Sequence, residues 1–142
     1  ILILNDAGIT DLHRELEERI GDAIGRELRA SGATLYGGVC VNLLRHPAWG
    51  RAQETYGEDP YLTSVMASAF VTGLQGDDPA YLKAAACAKH YALNSIEMTR
   101  MKVDVQVDER TLREVYLPHF RRAVEADFLD PEGDERVEEF GG

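Results

Sequence analysis

The apolar positions of this chain change spacing several times, and each change marks a predicted element. Leu12, Leu16, Ile20, Ile24 and Leu28 recur every four residues, a single stripe that predicts a helix from about Asp11 to Ser31. Gly32 is its stop, because glycine tolerates the left-handed conformation past a helix end. Ahead of it, Ile1 to Leu4 is apolar and Asn5-Asp6-Ala7-Gly8 reads as a turn. Thr34 to Leu44, rich in Val, Leu and Tyr around Gly37-Gly38, reads as a buried strand feeding a long loop. Asp59-Pro60 opens a second helix, with Asp as N-cap and Pro in the first turn. Its inner face is Leu62, Val65, Met66, Ala69 and Phe70, and Gly73 and Gly76 end it. Asp77 to Pro79 is a turn. The small residues of Lys83 to Ala88 read as a short buried strand, although so much alanine would suit a helix equally. Val103, Val105 and Val107 alternate with polar residues, the pattern of a half-exposed strand. Asp108 caps a third helix with core face Leu112, Val115, Tyr116, Phe120 and Val124, which Pro118 should kink or interrupt. From Asp127 the pattern fails, and the acidic, Pro- and Gly-broken run 127–142 reads as a disordered tail. No internal repeat is visible.

Helices alternating with strands predict an α/β fold with parallel strands. In an α/β barrel the chemistry sits on loops leaving the carboxyl ends of strands, and both polar segments described below follow predicted strands. The 142 residues suffice for one domain with a real core, at 44% apolar and 28% charged content. A formal net charge of -10, without a basic stripe, excludes nucleic acid as a partner. Much of that excess lies in the tail. No apolar run approaches the roughly 20 residues that span a bilayer, so no membrane association is expected. Cys40 and Cys87 lie in apolar runs and read as two buried thiols rather than a disulfide. With no signal peptide visible, a cytoplasmic location fits.

The chemistry is concentrated in two segments. Asn42 to Leu62, N-L-L-R-H-P-A-W-G-R-A-Q-E-T-Y-G-E-D-P-Y-L, combines cations, carboxylates and flat rings, the groups that grip a polyhydroxylated ligand. Ala84 to Arg100, A-A-A-C-A-K-H-Y-A-L-N-S-I-E-M-T-R, has the same character. Arg51 offers five donors in a rigid fork, suited to vicinal hydroxyls; the alternative is that it pairs with Glu54 or Glu58 to hold the loop. Trp49 either stacks on a sugar or anchors the loop in the core. Lys89 and His90 end an apolar strand, where a lysine is costly to bury unless it meets a carboxylate or a ligand. Asn94, Glu97 and Arg100 follow at three-residue steps and could share one face. His46, His90, His119, Cys40 and Cys87 show no metal-ligand spacing, and there is no G-x-G-x-x-G or P-loop, so neither metal nor cofactor is expected.

Over about residues 14–125 these motifs follow in a specific order. They are E-R-I-G-D-A-I-G-R-E-L-R, N-L-L-R-H-P-A-W-G-R with E-T-Y-G-E-D-P-Y-L, G-L-Q-G, A-C-A-K-H-Y-A-L-N-S-I-E-x-x-R and V-D-E-R-T-L-R-E-V-Y-L-P-H-F. The chain thereby resembles the amino-terminal (β/α)8 barrel domain of family 3 glycoside hydrolases, the β-glucosidase group. The resemblance implies a partial TIM-type barrel over 1–126 and a retaining, exo-acting enzyme that removes a β-linked glucosyl or related sugar. It implies that Arg51, Lys89, His90 and Arg100 hydrogen-bond the sugar hydroxyls beside the cleaved bond. His46 stands where the family commonly has Asp, a position that orders the loop more than it touches sugar.

Retaining glycosidases need two carboxylates about 5–5.5 Å apart. The family carries its nucleophile Asp on a later barrel strand, in a Ser-Asp-Trp/Phe context, and its acid/base on a second domain or later insertion. No segment here matches either, so no catalytic residue is assigned, and Asp127 and Asp130 are not promoted to that role. A complete barrel takes about 250 residues. The chain alone is therefore not expected to hydrolyse its β-glucoside or related oligosaccharide, and self-association or a complementing chain is expected. The alternatives are a non-catalytic carbohydrate-binding or interaction module derived from the same barrel, and a truncated product without function.

Overall fold

The computed structural model of the chain describes residues 7–126, with the backbone alone over 7–11. The proposed tail 127–142 and most of the amino-terminal segment lie outside the described residues. Helix α1 spans Ala7–Ser31, beginning four residues before the predicted start. Strand β1 (Leu35–Tyr36) pairs in parallel with β2 (Ala85–Ala86), Leu35 opposite Ala85 and Tyr36 opposite Ala86. Helix α2 (Pro60–Gln75) lies between them in sequence. Helix α3 (Glu109–Thr111), a widened π-turn (Leu112–Tyr116) and α4 (Pro118–Glu125) complete the described chain. It is an α/β arrangement with parallel strands and packed helices.

The two strands are shorter than the apolar runs that predicted them. Beyond Tyr36 the chain passes Gly37-Gly38 and resumes beside the second strand. Lys89 N donates to Val39 O and Val41 N to Lys89 O, each at 2.8 Å, forming an isolated parallel bridge at Cys40. Val39, Cys40, Val41 and Leu43 are buried even where the strand ladder is broken. Val39 and Val41 pack with Ala67, Phe70, Val71, Leu74, Ala84 and Phe120 to make the core. Tyr36 stacks on Phe70 with ring centroids 5.6 Å apart.

Helix α2 follows its local signals. Asp59 accepts from the N–H groups of Tyr61 and Leu62, satisfying donors that the first turn leaves free, and Pro60 sits where no N–H is needed. Gly76, at φ 80°, closes it. Its burial is wider than the predicted face, since Thr63, Ala67, Val71, Gly73 and Leu74 are also inside, while Leu62 is exposed. Gly73 does not end the helix. It lies where α1 crosses, and a Cβ there would stand 1.9 Å from Glu18 O. Gly21 on α1 is its counterpart, 2.3 Å from Phe70 O on the same basis.

This crossing corrects the stripe read for α1. Residues four apart advance about 40° around a helix of 3.6 residues per turn. Over five such residues the stripe winds away from any one neighbour. Ile24 and Leu28 reach the core, whereas Leu12, Leu16 and Ile20 are exposed.

Two further expectations change. Residues 103–107 form no strand; Val103 and Val105 are exposed, and no neighbouring strand among the described residues offers them a ladder. Cys87 is exposed rather than buried, while Cys40 is buried, and both are free thiols. The third helix behaves as Pro118 predicts. Its ring would meet the carbonyl four residues back, so the helix widens, Leu117 N reaches Leu112 O at 3.0 Å, and α4 restarts with Pro118 in its first turn. Of its predicted core face only Phe120 is fully buried; His119 and Ala123 join it, and Val124 is exposed. Among the described residues no helix is long and apolar enough to cross a membrane.

Candidate functional site

Parallel strands put their carboxyl ends on one side, and that is where both polar segments emerge. The first follows β1 and the buried run Val39–Leu43. It is shaped by local bonds: Leu44 N reaches Gly57 O at 2.9 Å across its neck, and Ala48 N donates to His46 Nδ1 at 3.1 Å. Trp49 is buried beneath the loop and anchors it in the core, so it is not available to stack on a ligand. The second segment follows β2, with cis peptide bonds at Lys89-His90 and Tyr91-Ala92.

Arg51 and His90 meet between these segments. Arg51 Nη1 lies 2.9 Å from His90 Nε2. The other side of the guanidinium is held by Glu54, with Nε to Oε1 at 2.7 Å and Nη2 to Oε2 at 2.6 Å. The loop tie to Glu54, one of the two sequence alternatives for Arg51, is present, and it leaves Nη1 pointing across the cluster to His90. Three of the five N–H groups are used, which leaves two for a ligand. Glu97 Oε1 lies 3.8 Å from Arg51 Nη1 and accepts from Arg100 Nη1 at 2.9 Å. Arg100, on the turn after Glu97, therefore joins the cluster through Glu97 rather than by touching Arg51.

Lys89 stands differently. The residue is half-buried, its backbone bridges Val39 and Val41, and among the described residues its ammonium makes no hydrogen bond or ion pair. The expected structural carboxylate partner is absent there. Its charge is felt by Glu54 and His90. Desolvation, then the cations Arg51, Lys89 and Arg100, hold the His90 imidazole below the usual histidine range, so the ring is neutral at pH 7. The hydrogen bonds from Arg51 hold Glu54 below the usual carboxylate range.

Asn42 is the member that sequence reasoning passed over. It is buried, and its Oδ1 accepts from His90 N at 2.7 Å and lies 2.9 Å from His90 Nδ1, while its Nδ2 donates to His90 O at 3.0 Å. The available signal was an amide inside the apolar run V-C-V-N-L-L, since a buried amide needs partners. Glu97 was noted only for spacing, yet its Oε2 is buried without a hydrogen bond among the described residues.

Beside His90 and Arg100 is a cavity of about 290 Å³ lined by Asn94, Met101 and Val105. Larger hollows of about 500 and 780 Å³ lie elsewhere, between α1 and α2 and beside Phe120 and Val124. Size does not locate the cluster; the convergence of charged donors does. Among the described residues no group of three or more His, Cys, Asp or Glu is placed to hold a metal ion.

Comparison with known proteins places the chain in a family. The family model described as glycosyl hydrolase family 3 N terminal domain matches residues 8–130. Thermostable β-glucosidase B of Acetivibrio thermocellus is 44% identical over 111 residues, covering 78% of this chain and 14% of that protein. Xylan 1,4-β-xylosidase of Xylanibacter ruminicola is 43% identical over 122 residues, 84% of this chain and 14% of that protein. β-Glucosidase 3B from Thermotoga neapolitana, solved in complex with α-D-glucose, matches at a TM-score of 0.74 and 43% identity, over 80% of this chain and 15% of that one. The chain thus spans about 14% of the length of these two curated relatives. With 123 consecutive residues matched by the family model (8 to 130 inclusive), the chain belongs to the N-terminal domain of glycosyl hydrolase family 3.

Proposed function

We propose that this chain supplies part of the sugar subsite of a retaining, exo-acting β-glycosidase of the β-glucosidase type. In this reading residues 1–126 are part of a TIM-type (β/α) barrel, with the acidic stretch 127–142 outside it. Arg51, Lys89, His90 and Arg100 are the residues that meet the sugar hydroxyls, and a β-glucoside or related oligosaccharide is the ligand. The observation that carries the reading is the Arg51 guanidinium, set against His90 with two spare N–H groups, together with a Lys89 ammonium that makes no hydrogen bond or ion pair among the described residues and whose charge reaches the same His90 and Glu54. A cation with no protein partner keeps its three donors available to ligand hydroxyls. That family relatives include a β-glucosidase and a β-xylosidase supports a pyranose ligand.

The cluster holds two carboxylates, and neither is assigned to cleavage. Glu54 is gripped by two bonds from Arg51, and Glu97 by Arg100. A nucleophile must be free to attack the anomeric carbon, and its acid/base partner must exchange a proton. We therefore expect the 142-residue chain to bind D-glucono-lactone and glucose without turning over an aryl β-glucoside. Amide NMR during a lactone titration checks the first, with shifts expected at Arg51, Lys89, His90 and Arg100. Shifts confined to other residues would refute the site. Release of aryl alcohol above a buffer blank would show that a competent carboxylate pair is present after all.

A further inference from the structure

We propose that Asn42 is a positioning residue for His90, holding the imidazole as the neutral tautomer protonated on Nδ1 so that Nε2 is presented as an acceptor. The proposal deepens the sugar-site reading above, on which only its consequence for ligand affinity rests. The backbone of His90 settles which way the Asn42 amide faces. His90 N–H can only donate, and it meets Oδ1 at 2.7 Å; His90 C=O can only accept, and it meets Nδ2 at 3.0 Å. Exchanging the two amide atoms would set donor against donor and acceptor against acceptor. Oδ1 therefore faces ring Nδ1, 2.9 Å away, and the proton of the ring must lie on Nδ1.

The opposite side of the ring gives the same answer independently. A guanidinium has donors and no acceptor, so Arg51 Nη1 at 2.9 Å requires a lone pair on His90 Nε2. An imidazolium there would set N–H against N–H. The charged and titratable groups around the ring are Arg51, Lys89 and Arg100, the carboxylates of Glu54 and, behind Arg51 and Arg100, Glu97, and the Cys40 thiol, whose Sγ lies 3.8 Å from the same Asn42 Oδ1. The three cations outnumber the two carboxylates, so a neutral acceptor is the state the surroundings favour. An aspartate at position 42 would reverse this. Its charge beside Nδ1 would favour the imidazolium, and its second oxygen would oppose the His90 carbonyl. In the sugar-site reading, the bare Nε2 takes an O–H of the ligand in place of Arg51.

The test is the imidazole 1H–15N long-range NMR spectrum of the 15N-labelled 142-residue chain, recorded as a function of pH. The wild type is expected to show His90 as the Nδ1–H form at neutral pH. Asn42→Ala leaves Arg51 as the one remaining hold on the ring, so the Nδ1–H signal should broaden and glucono-lactone affinity fall roughly 3- to 10-fold, the worth of one uncharged hydrogen bond. Asn42→Asp, nearly the same shape, should raise the His90 titration midpoint and leave the ring charged nearer neutrality. A wild-type ring protonated on Nε2 would overturn the proposal, as would an Asn42→Asp titration midpoint no higher than that of the wild type. Where Asn42→Ala does not fold, the wild-type spectrum and the Asn42→Asp titration decide between the same outcomes. Failure of the wild type to bind lactone, with the Nδ1–H form observed, supports Asn42's hold on His90 and removes the sugar reading alone.

Discussion

Lys89 and Arg51 are both cations of one cluster, but they are built into it differently. Arg51 is tied to Glu54 and His90, whereas the Lys89 ammonium has no partner among the described residues. Removing Lys89 should therefore cost binding without costing the fold. A charge-assisted hydrogen bond is worth about 1.5–3 kcal/mol, so Lys89→Met is expected to weaken glucono-lactone binding roughly 10- to 100-fold and leave Tm nearly unchanged. Calorimetric titration beside a melting curve reads both, and a lowered Tm with binding intact would mark Lys89 as structural. Binding should also depend on pH through His90. Its pKa is depressed, chiefly by desolvation, so the neutral ring persists below the ordinary histidine value of about 6.5. Lactone affinity is expected to be flat from pH 7 to that value and to fall only at lower pH. A midpoint above pH 7 would contradict the cationic surroundings of the ring.

At the scale of elements, two packing features can be tested by their sign. Alanine is favoured over glycine inside a helix by about 1 kcal/mol, so Gly73→Ala would stabilise α2 if nothing crossed it. Its Cβ would stand 1.9 Å from Glu18 O, a backbone atom that cannot step aside. Forcing such contacts costs about 1–3 kcal/mol or more. Denaturant melts should show net destabilisation, and a gain would mean the helices do not cross there. His119 on α4 is buried, packed 4.8 Å from the Phe120 ring centroid, with no partner for Nδ1 among the described residues. Burial lowers its pKa to about 4. The unfolded chain then binds the extra proton first, so this stability is present above about pH 6.5 and lost as pH falls toward 4. The loss is on the order of 3 kcal/mol at the lower end. His119→Phe should flatten that part of the stability profile; an unchanged slope from pH 6.5 to 4 would show that His119 is protonated freely in the fold.

For the molecule as a whole, the exposed apolar groups matter more than any one contact. Leu12, Leu16 and Ile20 lie on the outer side of α1, and Val103, Val105 and Val124 are exposed near the other end of the described chain. The paired strands are two residues long, which leaves backbone edges open. Apolar surface of this kind associates in water. Sedimentation velocity of the 142-residue chain is expected to show concentration-dependent association, and a broad thermal transition should accompany it. A single monomer boundary with a sharp melt would mean the exposed faces are satisfied within the chain.

What the sequence determined by itself is what depends on neighbouring residues. Asp59-Pro60, Asp108, Gly76 and Pro118 act within one or two turns, and each appears where its local chemistry predicts. Arg51, Lys89, His90 and Arg100 stand out as candidates through ordered motifs that resemble those of the family. Only the tertiary structure decided which partner each group meets. The α1 stripe could not tell its exposed half from its buried half, because the Gly21–Gly73 crossing sets that choice across some fifty residues of chain. The alternating valines at 103–107 satisfy a strand's period but lack a ladder to join, and hydrogen bonds between strands are not written in one strand alone. Asn42 looked like part of a hydrophobic run until the fold set it against His90, 48 residues away. Local rules act through adjacent backbone atoms, whereas the site exists only where distant segments are brought within hydrogen-bond reach.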